Sequence, residues 1–175
     1  LHHNEEVSHS WIYQYIAKDR AEGGELSNHL RRNASYQKGP VEYRGKIANR
    51  VPIEQRPEIV TKRTRLGDYE IDLIVGPKNK GAILTVVDRV SRECTIRKLA
   101  NKSAPEAELV VTQTIKGAAH TITSDNGTEF TNHQNIAQKL SLQYFFANPY
   151  ASYEPGSIEN LNGLIRQYIP KGKEF

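Results

Sequence analysis

Asp68-Tyr69-Glu70-Ile71-Asp72-Leu73-Ile74-Val75 alternates as a β-strand does. Tyr69, Ile71, Leu73 and Val75 fall on one face, and Asp68, Glu70, Asp72 and Ile74 on the other. An ionised carboxylate buried without a partner is costly, so an acid in mid-strand needs a cation or hydrogen-bond donors. Asp72 is the deepest of the three acids, whereas Asp68 and Glu70 lie nearer the strand start. Face parity alone does not separate them.

Outward from this strand the pattern continues as sheet. Gly76 to Gly81 is a turn. Ala82 to Val87 is an unbroken apolar, β-branched run, which reads as a strand buried on both faces. After a turn at Arg89 to Arg92, Cys94 to Leu99 gives a third strand, completing an antiparallel meander. Ser103-Ala104-Pro105-Glu106 has capping-box spacing with proline in the first turn, and opens a helix marked by Ala107, Val110, Val111 and Thr114 and ended by Gly117. His120 to Ser124 reads as a fourth strand, Asn132 to Leu140 as a short helix, and Leu142 to Ala147 as a fifth strand. A loop with Pro149 and Pro155 leads to a last helix from Ser157 to about Tyr168. Its inward face is Ile158, Leu161, Ile165 and Tyr168, and Pro170 stops it. The order β-β-β-α-β-α-β-α predicts an α/β protein, a mixed five-stranded sheet flanked by helices, with the strand order of the ribonuclease H-like fold.

Residues 1–30 read as a small helical segment. Ser8 is placed to cap a helix in which Ile12, Tyr15, Ile16 and Ala17 crowd one side, and Gly23-Gly24 ends it. Residues 31–66 show no sustained period and carry three prolines, as an extended connector would. They are also basic. Within 31–65 there are 10 Lys+Arg against 3 Asp+Glu, a net of +7, whereas residues 67–175 hold 12 of each. A basic strip with interleaved tyrosines beside a neutral domain reads either as a phosphate-contacting arm or as a solvated linker. The domain boundary is expected near Leu66-Gly67, giving a helical segment 1–30, a basic linker 31–66 and an α/β core 67–175.

Several function classes fall away. No window approaches a membrane span, and no basic-then-apolar leader opens the chain, so a cytoplasmic, membrane-free protein is expected. One cysteine, Cys94, excludes an internal disulfide and any zinc site with two cysteines. No glycine-rich phosphate cradle is present, against nucleotide hydrolysis. What remains is carboxylate chemistry. Asp125 closes the fourth strand and Glu159 lies in the first turn of the last helix, and with Asp72 they can converge on divalent metal. Each also has an ordinary explanation: Asp-Asn-Gly is turn chemistry, and an acid in a first helical turn suits the helix dipole. Asp88 and Glu129 are not excluded by spacing. His120 and His133 lack metal-ligand spacing, and Cys94 has no evident base.

The joint pattern is more specific than its members. Gly67-Asp68-Tyr69-Glu70-Ile71-Asp72, then Thr123-Ser124-Asp125-Asn126-Gly127-Thr128-Glu129-Phe130, then Asn148-Pro149-Tyr150 with Ser157-Ile158-Glu159-Asn160 resembles the DDE transposases and retroviral integrases. Glu159-Asn160-Leu161-Asn162-Gly163-Leu164-Ile165-Arg166-Gln167-Tyr168, followed by Pro170-Lys171-Gly172, is similar to the signature of the IS-thirty family of bacterial insertion-sequence transposases. The likeness extends upstream through Arg63 and Arg56-Pro57 to His29-Leu30-Arg31-Arg32 and Ser8 to Ile16. Tyr69 stands where that family usually has tryptophan.

The resemblance implies that Asp72, Asp125 and Glu159 form a catalytic triad holding two Mg²⁺ ions, with Mn²⁺ as a substitute. It implies a DNA partner: terminal inverted repeats read by an upstream helix-turn-helix, and a target into which the freed end is joined. Arg166, Asn162, Arg31, Arg32, Arg63 and Arg65 are the expected nucleic-acid contacts, and a homo-oligomeric synaptic complex is implied. The family's proteins begin earlier and continue further, so a fragment or truncated copy is expected. Two rivals stand beside this reading: a ribonuclease H-like nuclease without strand transfer, and an inactive DNA-binding derivative.

Overall fold

The computed structural model describes residues 7–30, 47–77, 80–148 and 156–171, the side chains of Lys80, Ser157 and Glu159 excepted. Arg31, Arg32, the first part of the expected linker and the loop with Pro149 and Pro155 therefore lie outside the described residues. Contacts divide the chain into two compact units, Leu1–Val41 and Glu42–Phe175.

In the first unit α1 spans His9–Ala21, and the Trp11 N–H donates to Ser8 Oγ at 3.2 Å, satisfying one of the helix's unpaired amides. The chain turns at Gly23, whose φ of +84° only glycine adopts at little cost. A 3₁₀ turn over Leu26–His29 is tied back by the Leu26 N–H donating to Asp19 Oδ2 at 3.0 Å. The apolar side of this helix is not covered: no residue of α1 is buried, and Trp11, Ile12, Tyr13 and Tyr15 are all exposed. The rings of Trp11 and Tyr15, four residues apart on one face, stack on each other instead at 5.3 Å.

The second unit is built on β1 (Asp68–Val75), β2 (Lys80–Asp88), β3 (Cys94–Asn101), β4 (Thr121–Ser124) and β5 (Gln143–Phe146). Their order in the sheet is β3-β2-β1-β4-β5. The first three strands form the antiparallel meander, and β4 and β5 add in parallel beside β1. Helices α3 (Ala104–Thr114) and α4 (His133–Leu140) supply the crossovers that parallel neighbours require. The expected sheet and its ribonuclease H-like order are present.

Ile71, Leu73, Leu84, Val86, Ile122, Tyr144 and Phe146 meet Ala107, Val111, Phe130 and Ile136 in one core on the α3–α4 face. Helix α3 starts as anticipated, the Glu106 N–H donating to Ser103 Oγ, but the Glu106 carboxylate accepts from the Ala100 N–H at 3.3 Å rather than closing the box. The opposite face is covered by α5 (Gly156–Tyr168), which packs against β1 and β2 and buries Ile158. Tyr168, assigned inward from its spacing, is 83% exposed. Ten residues of helix carry it well off the azimuth of Ile158 and Ile165.

Residues 47–66 are not the extended linker expected. They form a strap bound to the sheet, carrying a 3₁₀ turn at Ile53–Gln55 and a short helix α2 (Glu58–Lys62). The Phe146 N–H donates to Val51 O at 2.9 Å, Arg50 Nη2 to Ala147 O at 2.8 Å and Arg56 Nη1 to Thr123 Oγ1 at 3.1 Å. Val60 is fully buried. The strap joins through main chain and guanidinium groups rather than through an amphipathic period, which is why its sequence reads as loop. The compact unit accordingly begins upstream of Gly67, not at it.

Candidate active site

Strands β1 and β4 run parallel with Glu70 opposite Thr123, and Asp72 and Asp125 each follow two residues on, near enough for the Asp125 charge to act on Asp72. Asp72 lies on the α5 face, and Asp125 just past the carboxyl end of β4, where loops rather than strand neighbours surround a ligand. Asp125 opens the turn anticipated from Asp-Asn-Gly, its Oδ1 accepting from the Gly127 N–H at 2.8 Å. Asn126 Nδ2 donates to Ala147 O at 2.7 Å, fastening that turn to the end of β5.

The acids of β1 are distinguished by their partners. Asp68 takes both arms of Arg65, at 2.8 and 3.1 Å, and the Thr121 hydroxyl at 2.8 Å. Glu70, fully buried, is ion-paired with Arg89, also buried. Asp72 has no cationic partner among the described residues. It accepts the Leu73 N–H and Asn162 Nδ2, each at 2.7 Å. Burial, with the nearby charge of Asp125 and a smaller push from Glu129, raises its pKa to about 7 against two hydrogen bonds that oppose the shift.

Asp88 is structural: its carboxylate accepts the N–H groups of Gly67, Val90 and Ser91, and those bonds hold its pKa below the usual range although burial opposes them. Gly67 itself sits at φ +85° with Ala118 O where a Cβ would project, so the entry to β1 admits only glycine. Glu129 stays near the site. A Cβ on Gly127 would stand 2.5 Å from its carboxyl carbon, so the glycine makes room for it, and Lys102 Nζ lies 3.3 Å from its Oε2. His133 is a core residue among Tyr144 and Phe146, its Nε2 3.3 Å from Asn49 O. Burial raises the Cys94 pKa, which disfavours the thiolate a nucleophile would need.

The third expected acid, Glu159, lies in the first turn of α5 by its backbone, and its side chain is outside the described residues. Positions 159, 162 and 166 recur along one face of that helix. Asn162 holds Asp72, and Arg166 Nη2 donates to Val75 O, the last carbonyl of β1, at 2.9 Å. The two residues expected to touch DNA from α5 are therefore engaged with the strand that carries Asp72. Arg65 is likewise committed to Asp68, whereas Arg63, the left-handed cap of α2 at φ +54°, is exposed.

Among the described residues no three His, Cys, Asp or Glu side chains form a group able to hold one ion. The donor set nevertheless suits a hard divalent cation. Two neighbouring carboxylates repel each other, and the buried Asn162 Oδ1 beside Asp72 has no hydrogen-bond partner among the described residues. Such an oxygen-only cluster is what Mg²⁺ takes. The Glu70–Arg89 pair was not anticipated. Arg89 reads as a turn residue, and the one clue is that a buried Glu70 demands a cation.

The integrase core domain family model matches residues 64–152. The chain is 50% identical over 175 residues to the transposase for insertion sequence element IS4351 of Bacteroides fragilis, covering 97% of this chain and 54% of that protein. It is 33% identical over 153 residues to transposase InsI for insertion sequence element IS30C of Escherichia coli (strain K12), covering 82% of this chain and 40% of that one. It thus spans about half the length, or less, of these relatives. A chain in the cryo-EM structure of the simian T-cell lymphotropic virus intasome, in complex with PP2A regulatory subunit B56 gamma, shares the fold. The TM-score is 0.51 at 19% identity, over 57% of this chain and 38% of that one. With the acid-bearing sheet and the family model coinciding on the same residues, the chain belongs to the integrase core domain family.

Proposed function

We propose that this chain is the catalytic part of a transposase that cleaves DNA at the ends of an insertion sequence and joins the freed end to target DNA. Asp72, Asp125 and Glu159 are the catalytic, metal-holding acids. The observation that carries this reading is that Asp72, on β1, and Asp125, just past the end of the parallel β4, are both half-buried and close enough for one charge to act on the other. The kinship with insertion-sequence transposases supports the choice of DNA as substrate.

The residues divide the work. Asp72 presents its oxygens from the middle of β1 and Asp125 from just past the end of β4, and Glu159 closes the set from α5. Two Mg²⁺ ions, when bound, would make the attacking oxygen a better nucleophile and stabilise the leaving one. Asn162 orients Asp72 by donating from its Nδ2 to the Asp72 Oδ2. In the first step a water oxygen bonds to phosphorus and the DNA 3′-oxygen leaves as a hydroxyl. In the second, the oxygen of that hydroxyl bonds to a target phosphorus and the target's own 3′-oxygen leaves as a hydroxyl, so no covalent enzyme intermediate forms. Exposed cations such as Arg63 hold backbone phosphates, and the active assembly is a homo-oligomer on paired ends.

Asp125→Asn tests this. Nicking of an end-containing duplex with Mg²⁺ or Mn²⁺ should fall by at least about a hundredfold while DNA affinity stays equal or rises, because one repelling charge is gone. Nicking that survives the change overturns the triad. Pre-nicked ends that are never joined to target would reduce the reading to a hydrolytic nuclease.

A further inference from the structure

Glu70 is a wholly buried carboxylate two residues before Asp72, on the same face of β1. Its two oxygens serve different parts of the fold. Oε1 takes Arg89 Nη1, and Oε2 accepts the N–H of Ile158 at 3.3 Å. Ile158 is the third residue of α5, and its amide is one of those left without an intrahelical acceptor. An N-cap side chain usually satisfies that amide. Here a carboxylate 88 positions away in sequence does so, with its negative charge at the positive end of the helix dipole.

Arg89 is anchored in turn. Its Nε donates to Val60 O at 3.2 Å, so the strap helix α2, the β2–β3 turn, β1 and the first turn of α5 meet in one buried chain of bonds. We infer that Glu70 is a positioning residue. Clamped by Arg89 and the strap, it fixes the first turn of α5, and so sets residue 159 in register with Asp72. A salt bridge kept only for core stability would have no need of the helix amide. The inference rests on Glu159 being a metal ligand, as proposed above. It adds a dependence of the acid cluster on the strap, which enters the core from the basic segment.

The test uses the 175-residue chain with Mn²⁺ as probe. Binding is read by calorimetry, and amide exchange by mass spectrometry over residues 156–162 and, for comparison, 104–114. Glu70→Gln should speed exchange in the α5 segment and weaken Mn²⁺ binding by about tenfold, the scale of a charge-assisted bond lost, while α3 exchange stays as it was. If Glu70→Gln does not fold, Glu70→Met with Arg89→Leu removes both charges at similar volume and carries the same prediction. A folded variant whose Mn²⁺ affinity is unchanged overturns the inference. Wild-type protein that binds no Mn²⁺ defeats the reading of the acids instead, so the two failures are told apart.

Discussion

Asp72 carries its charge at a disadvantage, and that has a measurable sign. Its folded-state pKa, about 7, lies above the ordinary carboxylate value because burial and the Asp125 charge disfavour ionisation. An acid shifted upward contributes stability that is complete below its unfolded pKa and is lost as pH rises through the folded one. Between roughly pH 5 and 8, where the exposed carboxylates no longer titrate, the metal-free protein should therefore lose stability through this group. Asp72→Asn should flatten that slope and raise the metal-free Tm at pH 8 by a few degrees, at the scale of about 1 kcal/mol. Thermal unfolding in chelator across this range is the check, and an identical pH slope in the two proteins would contradict it. Mn²⁺ should raise the Tm of the wild type only. The sequence places Asp68, Glu70 and Asp72 on one face and stops there. What separates them is their partners: Arg65 three residues away is close enough to be guessed, whereas Arg89 becomes a partner only once β2 folds back on β1.

At the scale of elements, the strands and helices whose apolar periods face a core are legible in sequence, and the strap is not. All five strands and α3 to α5 fall within a few residues of where period and capping residues put them. Residues 47–66 escape because their attachment is made by Arg50, Arg56 and main-chain groups to β4, β5 and the segment beyond, partners some 70 to 100 positions away. Tyr168 fails because ten residues of helix rotate it off the azimuth of Ile158, so an apolar residue at near-helical spacing need not share the inward face. If the strap is structural, Val60→Ala should cost about 1.5–3 kcal/mol of unfolding free energy, two methyl groups' burial plus a cavity. A chain starting at Gly67 should be less stable than one starting at Ile47 by more than that. Urea unfolding of the two shortened chains decides it, and equal midpoints would return the strap to the status of a linker.

At the scale of the whole molecule, the two compact units predict separable behaviour. Removing residues 1–41 should leave the thermal midpoint of the remaining unit within a few degrees of the parent, because the sheet and both its covering layers lie downstream. A collapse of that midpoint would mean that the uncovered aromatic side of α1 is part of the core's stability after all. No described helix is long and apolar enough to cross a membrane. The proposed meeting of Asp72, Asp125 and Glu159 on metal comes down to one point in space. Its most direct measurement is the anomalous scattering of Mn²⁺ in a crystal of the protein. A peak is expected at roughly 2 Å from a carboxylate oxygen of each of the three acids, with Asn162 beside it. Manganese bound at other acids, or at Asp72 and Asp125 with Glu159 turned away even when DNA is present, would contradict it.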